Sequence, residues 1–125
     1  MPQKKTVYNF RALSDLQDTY LASRSEKDFA ALYIACVAGV SYLYDLYLYK
    51  KRITLPSHRN RDDDIQDATT RFIMRYTRKP HYRVKKSFRQ TLNFEVIYLF
   101  LFHERQTEDA FYANRIEMHD EMSEV

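Results

Sequence analysis

Residues 62–76, Asp62-Asp63-Asp64-Ile65-Gln66-Asp67-Ala68-Thr69-Thr70-Arg71-Phe72-Ile73-Met74-Arg75-Tyr76, decide how this chain is read. Ile65, Ala68, Thr69, Phe72, Ile73 and Tyr76 recur at the i, i+3, i+4, i+7 spacing that lines one face of an α-helix. Asp62 and Asp63 are expected to cap the first free N–H groups. Asp64 and Asp67 suit the positive end of the helix dipole, and Arg71 and Arg75 lie toward its negative end. With the apolar face buried, Asp63, Asp64, Gln66, Asp67, Thr70 and Arg71 are expected to remain outside as a polar ridge. The fold does not require that order of residues, so the ridge is a candidate for function.

Working outward, the rest of the chain reads as helices too. One glycine and three prolines in 125 residues leave little material for hairpins, and a chain of this length makes one domain that buries about two thirds of its unfolded surface. Upstream, residues 1–8 are expected to be a loose tail. Asn9 caps a short helix over Phe10–Ala22 with Leu13, Leu16 and Tyr20 in its stripe. Ser25 and Asp28 form a weak capping box that opens a long helix from Glu26 to about Tyr49, and Pro56 closes it by about Leu55. Its core face carries Phe29, Leu32, Tyr33, Cys36, Val37, Val40, Leu43, Tyr44 and Tyr47. Residues 29–49 are also long enough to cross a bilayer, with Asp45 the one charge among them, so a single-pass membrane protein is an alternative.

Downstream, Lys79 and Pro80 stop the helix of residues 62–76, and His81–Lys86 reads as a basic loop. Ser87 and Gln90 make a capping box for the next helix, whose half from Val96 to Phe102 is apolar all round. Thr107 is expected to cap an acidic last helix within 107–125, running to Met118 or Met122. These elements predict an all-α, single-domain bundle of about five helices, with Phe29–Tyr47 and Phe88–Phe102 as the central pair.

The letters that carry most enzyme chemistry are missing. His58, His81, His103 and His119 fall on different elements without a paired spacing or a cysteine companion, which gives no metal site. Gly39 alone cannot build a phosphate loop, and no serine sits in an elbow motif. No enzyme, cofactor or small-molecule substrate is therefore expected. The single Cys36 reads as a buried hydrophobe in a reducing compartment. With no signal-peptide pattern at the N-terminus, the expected location is cytoplasmic.

Charge is uneven although the net value is only +3. Lys50, Lys51, Arg52, Arg59, Arg61, Arg71, Arg75, Arg78, Lys79, Arg83, Lys85, Lys86 and Arg89 crowd the middle, and acidic residues dominate after Leu101. Tyr76, Tyr82 and Phe88 interleave with these cations, so phosphate-binding charge lies beside rings able to stack on unpaired bases.

Asp63-Asp64-Ile65-Gln66-Asp67 followed by Arg71-Phe72 resembles the second region of bacterial sigma factors, in which a D-x-x-Q-[DE] helix docks on RNA polymerase. Lys27-Asp28-Phe29-Ala30-Ala31-Leu32-Tyr33 is similar to the start of that family's preceding helix, and Ser87-Phe88 stands where a Phe precedes its promoter-melting helix. The resemblance covers residues 25–102. Thr91-Leu92-Asn93-Phe94-Glu95-Val96 replaces the family's W-L-x-x-I-A-R-N-like signature, and the upstream-element-binding helix-turn-helix module is lacking. It implies a reduced sigma-like transcription protein of the kind a phage encodes. On that basis Asp63, Gln66, Asp67 and Arg71 contact RNA polymerase, and Tyr82, Lys85, Lys86, Phe88 and Arg89 lie near melted or single-stranded promoter DNA. The charge pattern adds Arg75, Arg78 and Arg83 to the nucleic-acid side. The other class open to such a chain is a helical adaptor or assembly protein whose basic face meets an acidic partner.

Overall fold

The computed structural model describes residues 8–111, with side chains to residue 101. Four helices appear among the described residues, and no strand: α1 Arg11–Ser23, α2 Glu26–Lys51, α3 Arg61–Arg78 and α4 Phe88–Phe111. The all-α expectation holds.

The helices run alternately up and down. Tyr20 meets Phe29 and Phe10 meets Tyr42, which sets α1 antiparallel to α2. Asp45 pairs with Arg61 just across the next connection, and Phe72 meets Phe88 across the one after it. Helix α2 packs against all three others, so it is the axis of the bundle.

The periodic stripe of α3 is buried as its spacing predicts: Ile65, Ala68, Thr69, Phe72, Ile73 and Tyr76 all face the core. Phe72 lies at the centre, edge-on to Tyr76, Tyr82 and Phe88. Removing that ring would cost about 3–5 kcal/mol through lost transfer energy and the cavity left behind.

Several boundaries differ from the sequence expectation, each for a local reason. The N-cap of α3 is Asn60, whose Oδ1 accepts the Asp63 N–H at 3.0 Å, so the helix starts at Arg61 and neither Asp62 nor Asp63 caps it. Helix α2 ends at Lys51 because Arg52 turns left-handed (φ 56°) and its N–H returns to Leu48 and Tyr49, several residues before Pro56 could act. Helix α4 begins as expected, with the Ser87 hydroxyl accepting the Gln90 N–H at 3.1 Å, but runs unbroken through Thr107 to Phe111. Thr107 and residues 108–111 therefore belong to α4, and residues 112–125 of the expected fifth helix lie outside the described residues.

Of the expected loose tail, residues 1–7 lie outside the described residues. Tyr8 is docked: its hydroxyl donates to the Ala35 carbonyl at 2.6 Å. Gly39 makes the dock possible, since a Cβ there would stand 3.1 Å from the Tyr8 ring and 3.3 Å from both Phe10 and Leu92.

Helix α2 is long and apolar enough to cross a membrane by length and composition. In the bundle Leu32, Cys36, Gly39, Val40, Leu43 and Tyr44 face the core, whereas Ile34 is 67% exposed.

Candidate functional site

The outer face of α3 presents Asp63, Gln66, Asp67 and Thr70 to solvent. Asp64, expected on the same ridge, is turned inward and only 5% exposed. One residue is about 100° of helix rotation, enough to separate it from Asp63. The buried carboxylate accepts from the Tyr44 hydroxyl at 2.5 Å and from Arg59 at 2.7 and 3.1 Å, and that guanidinium in turn lies over the Phe100 ring. Asp64 thus joins α2, α3, α4 and the loop before α3.

Arg71, expected as a docking contact, is half-buried. It bridges Asp67 at 3.0 Å on its own helix and Glu95 at 3.1 Å on α4, with its guanidinium over Tyr98. Glu95 is buried and also holds Arg75, which donates to the Tyr82 hydroxyl at 3.1 Å. Burial lowers the Arg75 pKa, but the Tyr82 hydrogen bond and the Glu95 charge outweigh it and the net shift is upward.

Of the two expected base-stacking rings, Phe88 is a core residue and Tyr82 is half-buried. Phe88 is 4% exposed against Phe72, where no base can reach it, and Tyr82 packs on Phe72 and Tyr76. Phe88, Leu92, Val96 and Leu99 form a helical stripe that already marks Phe88 as core in the sequence. Glu95 was missed because its partners lie on another helix, and only the α3–α4 register brings them together.

Arg83 pairs with Asp18 at 2.5 Å and Arg24 donates to the Pro80 carbonyl at 2.5 Å, which fixes the loop between α3 and α4 against α1. Arg78, Lys79, Lys85 and Lys86 remain exposed and form no ion pair among the described residues. Lys85 and Lys86 stand just before α4, at the positive end of its dipole.

From there a groove of about 220 Å³ runs between α2 and α4, lined by Leu43, Leu46, Tyr47, Lys50, Lys51, Arg89, Asn93 and Ile97. Its floor is apolar and its rim cationic, with no acidic side chain among the described residues that line it. Arg89 is held over the Phe10 and Tyr42 rings, and Tyr47 stacks on Phe100 at 4.5 Å. From Arg89 to Ile97 the α4 edge of the groove is about 12 Å long. The sequence reading included Arg89 but missed Lys50, Lys51 and Asn93 as its neighbours. The usable signal was the spacing of Leu43, Leu46, Tyr47 and Lys50 on one helix and of Arg89, Asn93 and Ile97 on the other.

Pairing therefore sorts the basic middle. Arg59, Arg61, Arg71, Arg75 and Arg83 are taken by carboxylates, while Lys50, Lys51, Lys85, Lys86 and Arg89 pair with none among the described residues. Among the described residues no group of His, Cys, Asp and Glu is arranged to hold a metal ion. No family model matches this chain, and neither a curated protein nor a solved structure is similar to it.

Proposed function

We propose that this chain is a sigma-like transcription protein that meets melted or single-stranded promoter DNA through the α2–α4 groove and the basic loop, and RNA polymerase through the outer face of α3. The observation that carries the nucleic-acid half is the sorting of charge. A groove with Lys50, Lys51 and Arg89 on its rim, apolar side chains and Tyr47 in its lining and no carboxylate among the described residues that line it suits phosphates beside unpaired bases. Lys85 and Lys86 extend the same sign to the start of α4. Asp63, Gln66 and Asp67 share the exposed α3 face, which supports a docking role that the resemblance assigns to RNA polymerase.

Fluorescence anisotropy with a labelled single-stranded oligonucleotide tests the first half. Lys50, Lys51 and Arg89 changed together to Gln should weaken binding and flatten its salt dependence; unchanged affinity would remove the groove from the interface. For the second half, replacing Asp63, Gln66 and Asp67 by Ala should abolish polymerase pull-down with the helical circular dichroism intact. Retained pull-down would sink it.

A second reading, a helical adaptor without nucleic acid, is favoured by Met74, Phe94 and Tyr98, which are large, exposed and gathered around Arg71 and Arg75 on the α3–α4 face. Absence of oligonucleotide binding even at low salt, where phosphate contacts are strongest, would select it.

A further inference from the structure

Gln17 on α1 is 1% exposed and is the only residue of that helix whose buried side chain is an amide. Its Nε2 donates to the Val84 carbonyl at 3.1 Å, and its Oε1 accepts the Val84 N–H at 2.7 Å. The same oxygen accepts from the Tyr76 hydroxyl at 2.5 Å. One side chain thus gives a loop residue the two-bond pairing that a neighbouring strand would offer. A buried backbone needs such partners, and for Val84 no strand is at hand.

We propose that Gln17 is a positioning residue for nucleic-acid binding: by fixing Val84 it holds the loop between α3 and α4 in the one shape that presents Lys85 and Lys86 beside Arg89. Gln17 itself touches no ligand. The inference rests on the nucleic-acid reading of the basic loop and adds how that loop is kept ready to bind.

Lys85 and Lys86 follow Val84 directly, and Ser87 then caps α4, so the path of Val84 sets where both ammonium groups stand. Asp18–Arg83 and Arg24–Pro80 hold the same loop from the surface as exposed pairs, easily exchanged for water, and Tyr82, packed on Phe72 and Tyr76, anchors the loop ahead of Val84. The amide pair is buried and has no such substitute. Released, the loop would sample other shapes, and the apparent dissociation constant would rise as the competent fraction fell. A loop correctly placed one time in ten binds about tenfold more weakly.

Two variants test this. Gln17→Met keeps side-chain length and removes all three hydrogen bonds. Gln17→Glu keeps both acceptor bonds and loses the donation to Val84 until its carboxyl is protonated, which burial favours. Amide hydrogen exchange in the free protein should speed up at residues 81–86 in Gln17→Met, with α2 and α3 still protected. Affinity for a labelled single-stranded oligonucleotide should fall about tenfold. In Gln17→Glu the affinity, taken relative to wild type at each pH, should recover as the pH falls from about 8 to about 6. Unchanged loop exchange would show that Gln17 does not hold the loop, and faster exchange with unchanged affinity would show that holding it does not matter for binding. Should Gln17→Met lose protection throughout the bundle, the pH-dependent recovery of Gln17→Glu decides, and its absence overturns the proposal. A wild type that binds no oligonucleotide at low salt fails the nucleic-acid reading instead, while exchange at Val84 still reports on the hold itself.

Discussion

The Tyr44 hydroxyl donates to the Asp64 carboxylate at 2.5 Å, and this contact fastens the last third of α2 to the first turn of α3. Both groups are buried, and Arg59 completes the cluster from the preceding loop. Asp64→Ala should therefore cost about 3–5 kcal/mol, because it strands a guanidinium and a hydroxyl away from water. Asp63→Ala, one residue earlier on the exposed face, should change stability by no more than about 0.5 kcal/mol. Urea unfolding of the two variants separates the structural aspartate from the candidate docking one; equal midpoints would contradict the assignment.

Arg75 should behave as a core residue despite its charge. Arg75→Met leaves buried Glu95 with Arg71 as its remaining partner and should destabilise by about 3 kcal/mol. Arg78→Met, with no ion pair among the described residues, should be nearly silent in the same unfolding assay.

The cations of the groove and loop should be read in salt. Changing Lys50, Lys51, Lys85, Lys86 or Arg89 singly to Gln should each lower the slope of log affinity against log salt by about one phosphate contact, with little change in stability. Sites whose slope does not move lie outside the interface.

Stability should fall on the alkaline side. Burial pushes the Cys36 thiol from its ordinary 9.0 up to about 12. Burial first, then the Asp64 hydrogen bond, raises Tyr44; burial first, then Cys36, raises Tyr76. All three are neutral when protonated, and the folded state keeps those protons longer than the unfolded one. Their contribution is present in full below about pH 9 and is lost as the pH rises toward 12. Urea midpoints taken from neutral pH upward should decline through that window. Tyr44→Phe and Tyr76→Phe should make the decline shallower.

Ile34 tests the surroundings of α2. In the bundle it faces outward, so Ile34→Lys should leave the unfolding midpoint nearly unchanged. In a bilayer the same change, about five residues from the centre of the span, would cost up to about 2.5–3.5 kcal/mol and oppose insertion. Loss of the folded bundle on this one substitution would favour the membrane alternative.

The α3 stripe was legible because Ile65, Phe72, Ile73 and Tyr76 announce a face without help from any other element. The same local logic assigned Asp64 to solvent, since nothing near it in sequence shows that Tyr44 and Arg59 converge on it. Asn60 was overshadowed as a cap by three aspartates in a row. Phe88 was read for its chemistry beside cations when its spacing with Leu92 and Val96 already marked it as core. The groove was hidden for the reason Glu95 was: its walls belong to helices about forty residues apart in sequence, and periodicity says which face of a helix turns inward, not which other helix it meets.

Val84 and Gln17 stand 67 positions apart, so the shape of the loop is written outside the loop. Shape and charge are then inherited separately. Lys79, His81, Lys85 and Lys86 point outward and could be exchanged for other letters while a single amide on α1 preserved the contour beneath them. Such a loop is a fixed mount on which a lineage can try new charge patterns, and under the proposed nucleic-acid role swapping those four residues alone would retune the contact.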